Sequence, residues 1–439
     1  MLGTAITGLT GLCALVLVTL VLRATPRAML GVWTATLFLV PLWVGQTLGN
    51  HFFLSAITLI TLVGVVAFGG TLRPTVADLL MVSLVFLVLV QFALGLVNLS
   101  NTVVTVLEWF LPYVWGRLLL SRVDTQYVTR CLATFAVIAA SLAIVEFLTR
   151  TNLFTSVPFG NSLYTVWGPL QFRAGILRVE GAWGHSIALG AALAMSSPFV
   201  LAAPWKPWAR IGALAVLTAA TVFTFSRIGI LTLIFSIALS VLLLPQIGRT
   251  VRIVVPAAAT AATVAVVPFV DKIFEQAGTE AQGSAAYRSD LFSLFDYVRL
   301  FGSAPSFRGT TIGGTYLGLF ANSTDNAVLL TGLRLGWFAL VLFLVPLVLV
   351  TLTVLLPRRS TPASIAVAAQ LPTLFVVALI TQFGMYLWFL VGLALTWSLR
   401  ARTETTQETP QPETVSTRGP GLPGTQPQSS SRATDDLSL

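Results

Sequence analysis

Four side chains that could bind an anion or transfer a proton lie within one short segment that precedes an apolar run. In the sequence QFRAGILRVEGAWGHSIALG these are Arg173, Arg178, Glu180 and His185. Arginine offers planar, paired donors that suit phosphate, whereas a carboxylate or an imidazole can take up a proton. Gly181 and Gly184 would let the backbone come close to a ligand. The alternative is that the four are interfacial side chains at a helix end, which reach towards water.

A second candidate lies where two apolar runs meet with almost no loop between them, in FTFSRIGILTL. Ser226 can cap the helix that follows, and the first amides of that helix, with its positive dipole end, favour an anion. Arg227 adds a cation at the same point. The pattern predicts a compact phosphate site, unless Arg227 only marks the edge of the membrane.

The longest polar stretch between apolar runs extends from Asp271 to Asn326 and contains Arg288, Arg299 and Arg308. A membrane protein that keeps such a loop long usually uses it. Within it, the apolar residues of 287–301 can share one face, which predicts an amphipathic helix on the membrane surface. Arg288 at its start is a candidate ligand for an anion, whereas Arg299 fits a solvated charge.

Two further acidic residues are candidates. Asp325, followed by Asn326, stands at the head of an apolar run, where it could accept a proton or simply cap a helix. Glu108 lies inside the run 102–120, where an ionisable group is costly and predicts a function. With two histidines in all, and both cysteines in apolar runs, the sequence predicts neither a metal site nor a cofactor. No nucleotide-binding Gly-Lys-Ser/Thr loop is present.

Composition places these residues on a membrane scaffold. The 439 residues are 56% hydrophobic and 9% charged, with a mean hydropathy of +0.88. Continuous apolar runs predict helices rather than a transmembrane barrel. We expect an all-α bundle of about 12–13 spans within residues 1–400, with one large extracytoplasmic loop. The runs are 3–22, 30–49, 52–70, 76–97, 102–120, 127–148, 183–203, 210–225, 228–244, 251–270, 326–356, 363–380 and 384–399.

Basic residues in alternate short loops predict the orientation, because such loops face the cytoplasm. This places the N-terminus outside and the C-terminus inside, with extracytoplasmic loops at 149–182 and 271–325. Residues 401–439, rich in Thr, Pro, Gln and Ser, are expected to form a disordered cytoplasmic tail. The net charge of +9 fits loops that face phosphate-bearing lipid better than it fits nucleic acid. The cytoplasmic set comprises Arg23, Arg27, Arg73, Arg117, Arg122, Arg130, Lys206, Arg210, Arg249, Arg252, Arg358, Arg359, Arg400 and Arg402.

In this order the motifs resemble those of the O-antigen ligase and polysaccharide polymerase superfamily. They are R-x-E-G-x-x-x-H-x-x-x-L-G from Arg178 to Gly190, F-S-R-x-G from Phe225 to Gly229, the predicted helix around Arg288, and T-D-N-x-x-x-x-x-G-x-x-x-G from Thr324 to Gly336. The resemblance covers about residues 100–350. It implies a multi-pass, metal-independent inverting glycosyltransferase of the plasma membrane. Such an enzyme moves a glycan from an undecaprenyl-pyrophosphate carrier to an acceptor hydroxyl on the extracytoplasmic face.

The resemblance also implies roles for individual residues. Arg178, Ser226, Arg227 and Arg288 would hold the pyrophosphate; Asp325, Glu180 and His185 are the catalytic candidates; Arg173, Arg308, Asn326 and Glu108 are secondary candidates. Asp325 stands where the ligases usually carry histidine, and His185 is followed by Ser-Ile rather than Pro-Asn, which favours a polymerase. The implied partners are the lipid-linked donor, a glycan or lipid acceptor, the bilayer and other polysaccharide-assembly proteins. A glycolipid flippase or other transporter is the alternative.

Overall fold

The computed structural model describes ten stretches of the chain. They are residues 16–48, 52–70, 72–156, 159–173, 175–258, 291–304, 311–312, 315–316, 325–356 and 360–407. Arg288 and Arg308 lie outside these described residues, as do much of the predicted loop 271–325 and residues 408–439 of the predicted tail 401–439. Residues 401–407, which the prediction assigned to the disordered tail, instead continue the last helix, Phe383–Gln407. The loop and the rest of the tail therefore stay predictions.

The described chain is mostly helical, as expected. Its helices are α1 (Val16–Ala24), α2 (Pro26–Leu39), α3 (Ala56–Phe68), α4 (Val76–Ala93), α5 (Leu99–Val103), α6 (Leu111–Leu119), α7 (Thr125–Thr149), α8 (Ser162–Trp167), α9 (Ser186–Ala202), α10 (Pro207–Phe223), α11 (Arg227–Leu243), α12 (249–258), α13 (Ala327–Leu335), α14 (Trp337–Val354), α15 (Pro362–Gln370) and α16 (Phe383–Gln407). A π-helix, Val104–Phe110, joins α5 to α6. Short 3₁₀ helices are Leu153–Thr155, Gly181–Trp183, Phe292–Tyr297 and Pro372–Phe375.

Three small antiparallel hairpins complete the described structure. They pair β1 (Gly45–Leu48) with β2 (Phe52–Ser55), β3 (Phe172–Arg173) with β4 (Ile176–Leu177), and β5 (Thr311–Ile312) with β6 (Thr315–Tyr316). The first hairpin corrects the sequence prediction. The last residues of the predicted span 30–49 and the first residues of the predicted span 52–70 form strands instead of helices. Ser55 then ends β2 and caps α3, its hydroxyl oxygen accepting the Thr58 N–H.

Fewer helices than predicted have the length of a membrane span. Among the described residues four are long and apolar enough, Val76–Ala93, Thr125–Thr149, Trp337–Val354 and Phe383–Arg400, and the pair α1 and α2, bent by 117°, could form a fifth. Five further apolar helices are shorter, at 10–17 residues. A helix of 17 residues is about 26 Å long, less than the roughly 30 Å of a hydrocarbon core. The helices indicate a membrane protein, but the count of 12–13 full spans is not reproduced.

Breaks inside apolar runs account for part of the difference. The predicted run 326–356 divides at Gly336, whose φ of 90° lies in the left-handed region and where a Cβ would come within 2.9 Å of the Leu300 oxygen. Only glycine fits such a position without strain. The predicted run 363–380 ends as a helix at Phe375, after which the chain is not helical until Phe383. Hydropathy does not register these breaks, because the residues on both sides are apolar.

The predicted surface helix over 287–301 is also corrected within its described part. A 3₁₀ helix covers Phe292–Tyr297 and the chain is extended from Val298. Leu291, Leu294 and Val298 pack against Leu329 and Leu333 of α13. Residues 302 and 304 then donate backbone N–H groups to the last carbonyl oxygens of α13. These three side chains therefore cover α13, and the described part of the segment is a short 3₁₀ helix rather than the α-helix that was predicted.

The centre of the bundle is α9, most of whose residues are buried. Its alanines, glycine and serines allow α7, α10, α11 and α15 to pack around it. Small residues permit this close helix packing. The closest approach is between Gly190 of α9 and Gly229 of α11, because a Cβ on Gly229 would lie 3.2 Å from the Gly190 Cα. Glycines of two predicted motifs therefore serve helix packing.

Candidate functional site

The segment that carries Arg178 is tied to the turn between α10 and α11. We call residues Gln171 to Gly181, which include β3 and β4, the Arg178 hairpin. Three of its N–H groups donate to successive backbone carbonyl oxygens of the turn. The pairs are Val179 N with Phe223 O (3.2 Å), Arg178 Nε with Thr224 O (3.0 Å) and Arg173 Nη1 with Phe225 O (3.4 Å). The segment around Arg178 and the motif from Phe225 to Gly229, which are separate in the sequence, are thus parts of one structure.

The turn has the cap that the sequence predicted. Ser226 is buried, and its hydroxyl oxygen accepts the Gly229 N–H at 3.1 Å, which confirms the helix cap. Phe225 before it has a φ of 47°, a left-handed conformation that is rare for a bulky residue and is often found at functional sites. Arg227 is the first residue of α11 and its side chain is exposed.

Glu146 is a buried residue near the end of α7 that the sequence analysis missed. Its carboxylate accepts the N–H of Glu180 (3.1 Å), the N–H of Gly181 (2.9 Å) and the side-chain N–H of Asn152 (3.2 Å). Asn152 also donates to the Gly181 carbonyl oxygen at 3.1 Å. The signal in the sequence was an acidic residue within an otherwise apolar run, the same signal that marked Glu108. Glu146 fixes the backbone beside Arg178.

Glu180 is fully buried and only half satisfied. Its Oε1 accepts the Gln171 N–H at 2.9 Å, while its Oε2 has no hydrogen-bond partner among the described residues. Burial raises the pKa of Glu180 to about 8; the charge of Glu146 raises it further, and the Gln171 N–H and Arg178 oppose the rise. Glu180 is therefore mostly protonated at neutral pH. Because it is buried, it cannot touch a substrate in this conformation.

Arg178 is partly buried, and its terminal guanidinium nitrogens have no hydrogen-bond partner among the described residues. Burial lowers the pKa of Arg178 to about 10; Arg173 adds to the fall, whereas Glu180 and Asp325 oppose it. The group therefore stays cationic at neutral pH. Asp325 is thus close enough for its charge to act on Arg178. The site therefore offers a cation that is anchored through Nε to the Thr224 carbonyl oxygen and whose terminal nitrogens are not bonded to any described residue.

His185 is the N-cap of α9. Its Nδ1 accepts the Ile187 N–H at 3.1 Å, and its ring packs edge-on against Trp167. Burial, with the charge of Arg178, lowers the pKa of His185 to about 4. The ring is therefore neutral, with its proton on Nε2, and it can donate a hydrogen bond there. This geometry makes His185 a donor rather than a base.

Asn326, and not Asp325, caps α13. The Asn326 side-chain oxygen accepts the Leu329 N–H at 2.9 Å, and the residue is buried. The alternative that Asp325 is the helix cap is therefore wrong. Asp325 precedes the cap, is partly exposed and acts electrostatically on Arg178. Among the acidic candidates near Arg178 it is the one that a substrate can reach.

Gly184 has a different role from the one predicted. Its φ of 59° requires glycine, and a Cβ there would lie 2.6 Å from the Trp43 ring and 2.9 Å from the Trp167 oxygen. The absence of a side chain at Gly184 therefore lets Trp43 and Trp167 pack against the backbone there, where the sequence prediction expected a ligand.

Glu108 is not part of the site around the Arg178 hairpin. It is partly buried in the π-helix Val104–Phe110, and the charge that acts on it is that of Arg334 in the last turn of α13. Seven-residue π-helices are rare and often mark functional sites. The residues around Arg334 line a cleft of about 30 Å³, room for a water or two. The structure thus pairs Glu108 with Arg334 and not with the Arg178 hairpin.

Taken together, these features define the class: a helical membrane protein with an arginine and buried carboxyls beside two capped helix N-termini. Within the described ranges, no three His, Cys, Asp or Glu side chains are grouped so as to hold a metal ion. Comparison with family models, curated proteins and solved structures found no match to this chain.

Proposed function

We propose that this protein is an integral-membrane inverting glycosyltransferase. It takes an undecaprenyl-pyrophosphate-linked glycan as donor and transfers it to a sugar hydroxyl on the extracytoplasmic face of the plasma membrane, and we favour polymerisation over ligation. The observation that carries the proposal is that Arg178 is bonded to the turn before α11 and acts by its charge on His185 at the start of α9, while its terminal nitrogens have no partner among the described residues. The resemblance of the motifs to polysaccharide polymerases supports the same reading.

The chemistry needs a cationic site for the leaving group. An acceptor hydroxyl oxygen attacks the anomeric carbon from the face opposite the pyrophosphate, and the bond from that carbon to the pyrophosphate oxygen breaks. The lipid pyrophosphate leaves with the electron pair. Arg178 and Arg227, with the first amides of α11, would stabilise that developing charge. Arg288 is proposed to join them from the resemblance alone.

The reaction also needs a base for the proton of the attacking hydroxyl. We assign this role to Asp325, because it is partly exposed and its charge reaches Arg178. Glu180 is buried behind the backbone that carries Arg178, and His185 presents a donor. These two residues support the site rather than touch the substrate.

The test is a set of single substitutions in the native host, Arg178→Ala, Arg227→Ala, Arg288→Ala and Asp325→Ala, with surface glycan length read on gels. Arg299→Ala is the matched control, since its side chain is exposed. We expect the four variants to insert normally, to lose long glycan and to accumulate single lipid-linked units, while the control keeps normal glycan. Normal glycan in all four would contradict the proposal. Units accumulating on the cytoplasmic leaflet would point to a flippase.

A further inference from the structure

We propose that Glu146 and Glu180 form a buried carboxyl pair that holds one proton, and that this pair positions the Arg178 hairpin. The consequence for glycan transfer rests on the proposed function, whereas the pair itself does not. Neither residue would touch the substrate; both would act through the backbone that carries Arg178.

The hydrogen bonds assign different states to the two carboxyls. Glu146 accepts three N–H groups, from Glu180, Gly181 and Asn152, which is the arrangement of an ionised carboxylate. Glu180 accepts one backbone N–H on Oε1 and leaves Oε2 buried without a partner among the described residues. A buried ionised oxygen without a donor would be costly, so the proton belongs on Glu180.

Both carboxyls hold the base of the hairpin. Gln171 donates its N–H to Glu180 and accepts the Arg178 N–H on its carbonyl oxygen at 3.0 Å. Glu146 anchors the next two amides to the end of α7. Loss of the proton from Glu180 would place a second negative charge beside Glu146, and the repulsion would loosen the hairpin that carries Arg178.

Two charged groups among the described residues act on the pKa of Glu180. Glu146 on α7 raises its pKa and Arg178 on its own segment lowers it. His185 at the start of α9 is neutral, and Asp325 before α13 acts on Arg178. Removal of the Glu146 charge should therefore lower the pKa of Glu180. Replacement of Glu180 by glutamine gives a neutral side chain of the same shape, which mimics the protonated form.

The pair predicts a pH dependence of stability with a definite sign. The pKa of Glu180 rises from its ordinary value of 4.5 to about 8 on folding. A group of this kind stabilises the fold fully below its unfolded pKa, and the stabilisation is lost as the pH rises through the folded value. The stability of the wild-type protein should therefore fall between about pH 5 and pH 8 through this group, and Glu180→Gln should make that fall shallower.

The experiment is thermal unfolding of the full chain in lipid nanodiscs from pH 5 to pH 9, for wild type, Glu180→Gln, Glu146→Ala and the control Asp296→Asn, whose side chain is exposed. We expect a shallower pH slope for Glu180→Gln, a lower unfolding temperature at every pH for Glu146→Ala, and a wild-type slope for the control. A wild-type slope in Glu180→Gln would overturn the proposal.

Glycan transfer by the same Glu180→Gln protein separates positioning from catalysis. We expect the rate to stay within about twofold of wild type at pH 7 and to exceed wild type above pH 8. A loss of about 100-fold or more, the size expected for removal of a general base, would overturn the positioning role. If wild type itself transferred no glycan, the proposed function would fail, whereas the unfolding result would still decide whether the carboxyl pair exists.

Discussion

Near the two ends of α7 lie two arginines, one buried and one partly buried, whose guanidinium groups are hydrogen-bonded to different extents. Arg117, close to where α7 begins, is 3% exposed and donates to both carboxylate oxygens of Asp78, to the Arg73 carbonyl oxygen and to the Thr396 hydroxyl. The side chain of Arg178, beside the other end of α7, has one hydrogen bond to the described chain, from Nε. The helix has 25 residues, about 37 Å, so the two sites are far apart. An arginine whose three guanidinium nitrogens are all hydrogen-bonded is a structural element, whereas one whose terminal nitrogens have no partner among the described residues can bind a ligand.

Substitution of Arg117 should give the largest change in stability. Arg117→Ala leaves the Asp78 carboxylate, which also accepts the Tyr113 hydroxyl at 2.6 Å, without its cation. Removal of one partner from a buried ion pair costs about 3–5 kcal/mol. Thermal unfolding in nanodiscs measures the loss. The double variant Arg117→Met, Asp78→Leu should recover much of the lost stability. If Arg117→Ala were as stable as wild type, Arg117 would not have the structural role assigned to it.

Substitution of Arg178 should give the largest change in activity with a smaller change in stability. Arg178→Ala removes the available donors, and loss of one such charge-stabilising group costs about 10²–10³ in rate. Arg178→Lys keeps the charge but not the planar fork, so it should recover only part of the rate. Glycan transfer and unfolding are measured on the same preparations. If Arg178→Ala unfolded as readily as Arg117→Ala, the two arginines would play the same role.

Asp325 and Asn326, the two residues before α13, allow the same comparison between a residue proposed to act in the reaction and a residue that stabilises the fold. Asp325→Asn removes the proposed base and should lower the rate by about 10²-fold, with a smaller loss of stability than Asn326→Ala. Asn326→Ala removes a helix cap and should cost about 1 kcal/mol of stability. Asp325→Asn should therefore lower mainly the rate, and Asn326→Ala mainly the unfolding temperature. A larger stability loss in Asp325→Asn than in Asn326→Ala would contradict the assignment of the cap.

The smallest effect is expected at the cap of α11. Ser226→Ala removes the acceptor for the Gly229 N–H and should cost about 1 kcal/mol, which calorimetry or thermal unfolding can detect. Ser226→Thr keeps the oxygen and serves as the control. Equal stability of Ser226→Ala and wild type would show that the turn is held by its contacts with the Arg178 hairpin instead.

Local patterns in the sequence were sufficient for part of this structure. The cap at Ser226 follows from residue type and position, and the helical, membrane-embedded class follows from apolar runs. Patterns of this kind depend on residues within one or two turns of each other.

Features that depend on distant contacts were not predictable. Glu146 and Glu180 are 34 residues apart in the chain and meet only in the fold. The break at Gly336 arises because residues 299–301 crowd that position, and the cap at Asn326 rather than Asp325 depends on backbone geometry. The hairpin of β1 and β2 is formed by the facing ends of two apolar runs, so hydropathy does not distinguish it from the helices on either side. Arg178 was predicted as a ligand from its type, but only the structure shows that its terminal nitrogens have no partner among the described residues.

The most direct test of the central claim is binding of undecaprenyl pyrophosphate to the full chain in nanodiscs, compared between wild type, Arg178→Ala and the control Arg299→Ala. If Arg178 holds the pyrophosphate, the affinity of wild type and of the control should agree, and that of Arg178→Ala should fall at least about tenfold, the value of one charged hydrogen bond or more. Equal affinity of all three proteins would show that the arginine with available donors is not the anion site.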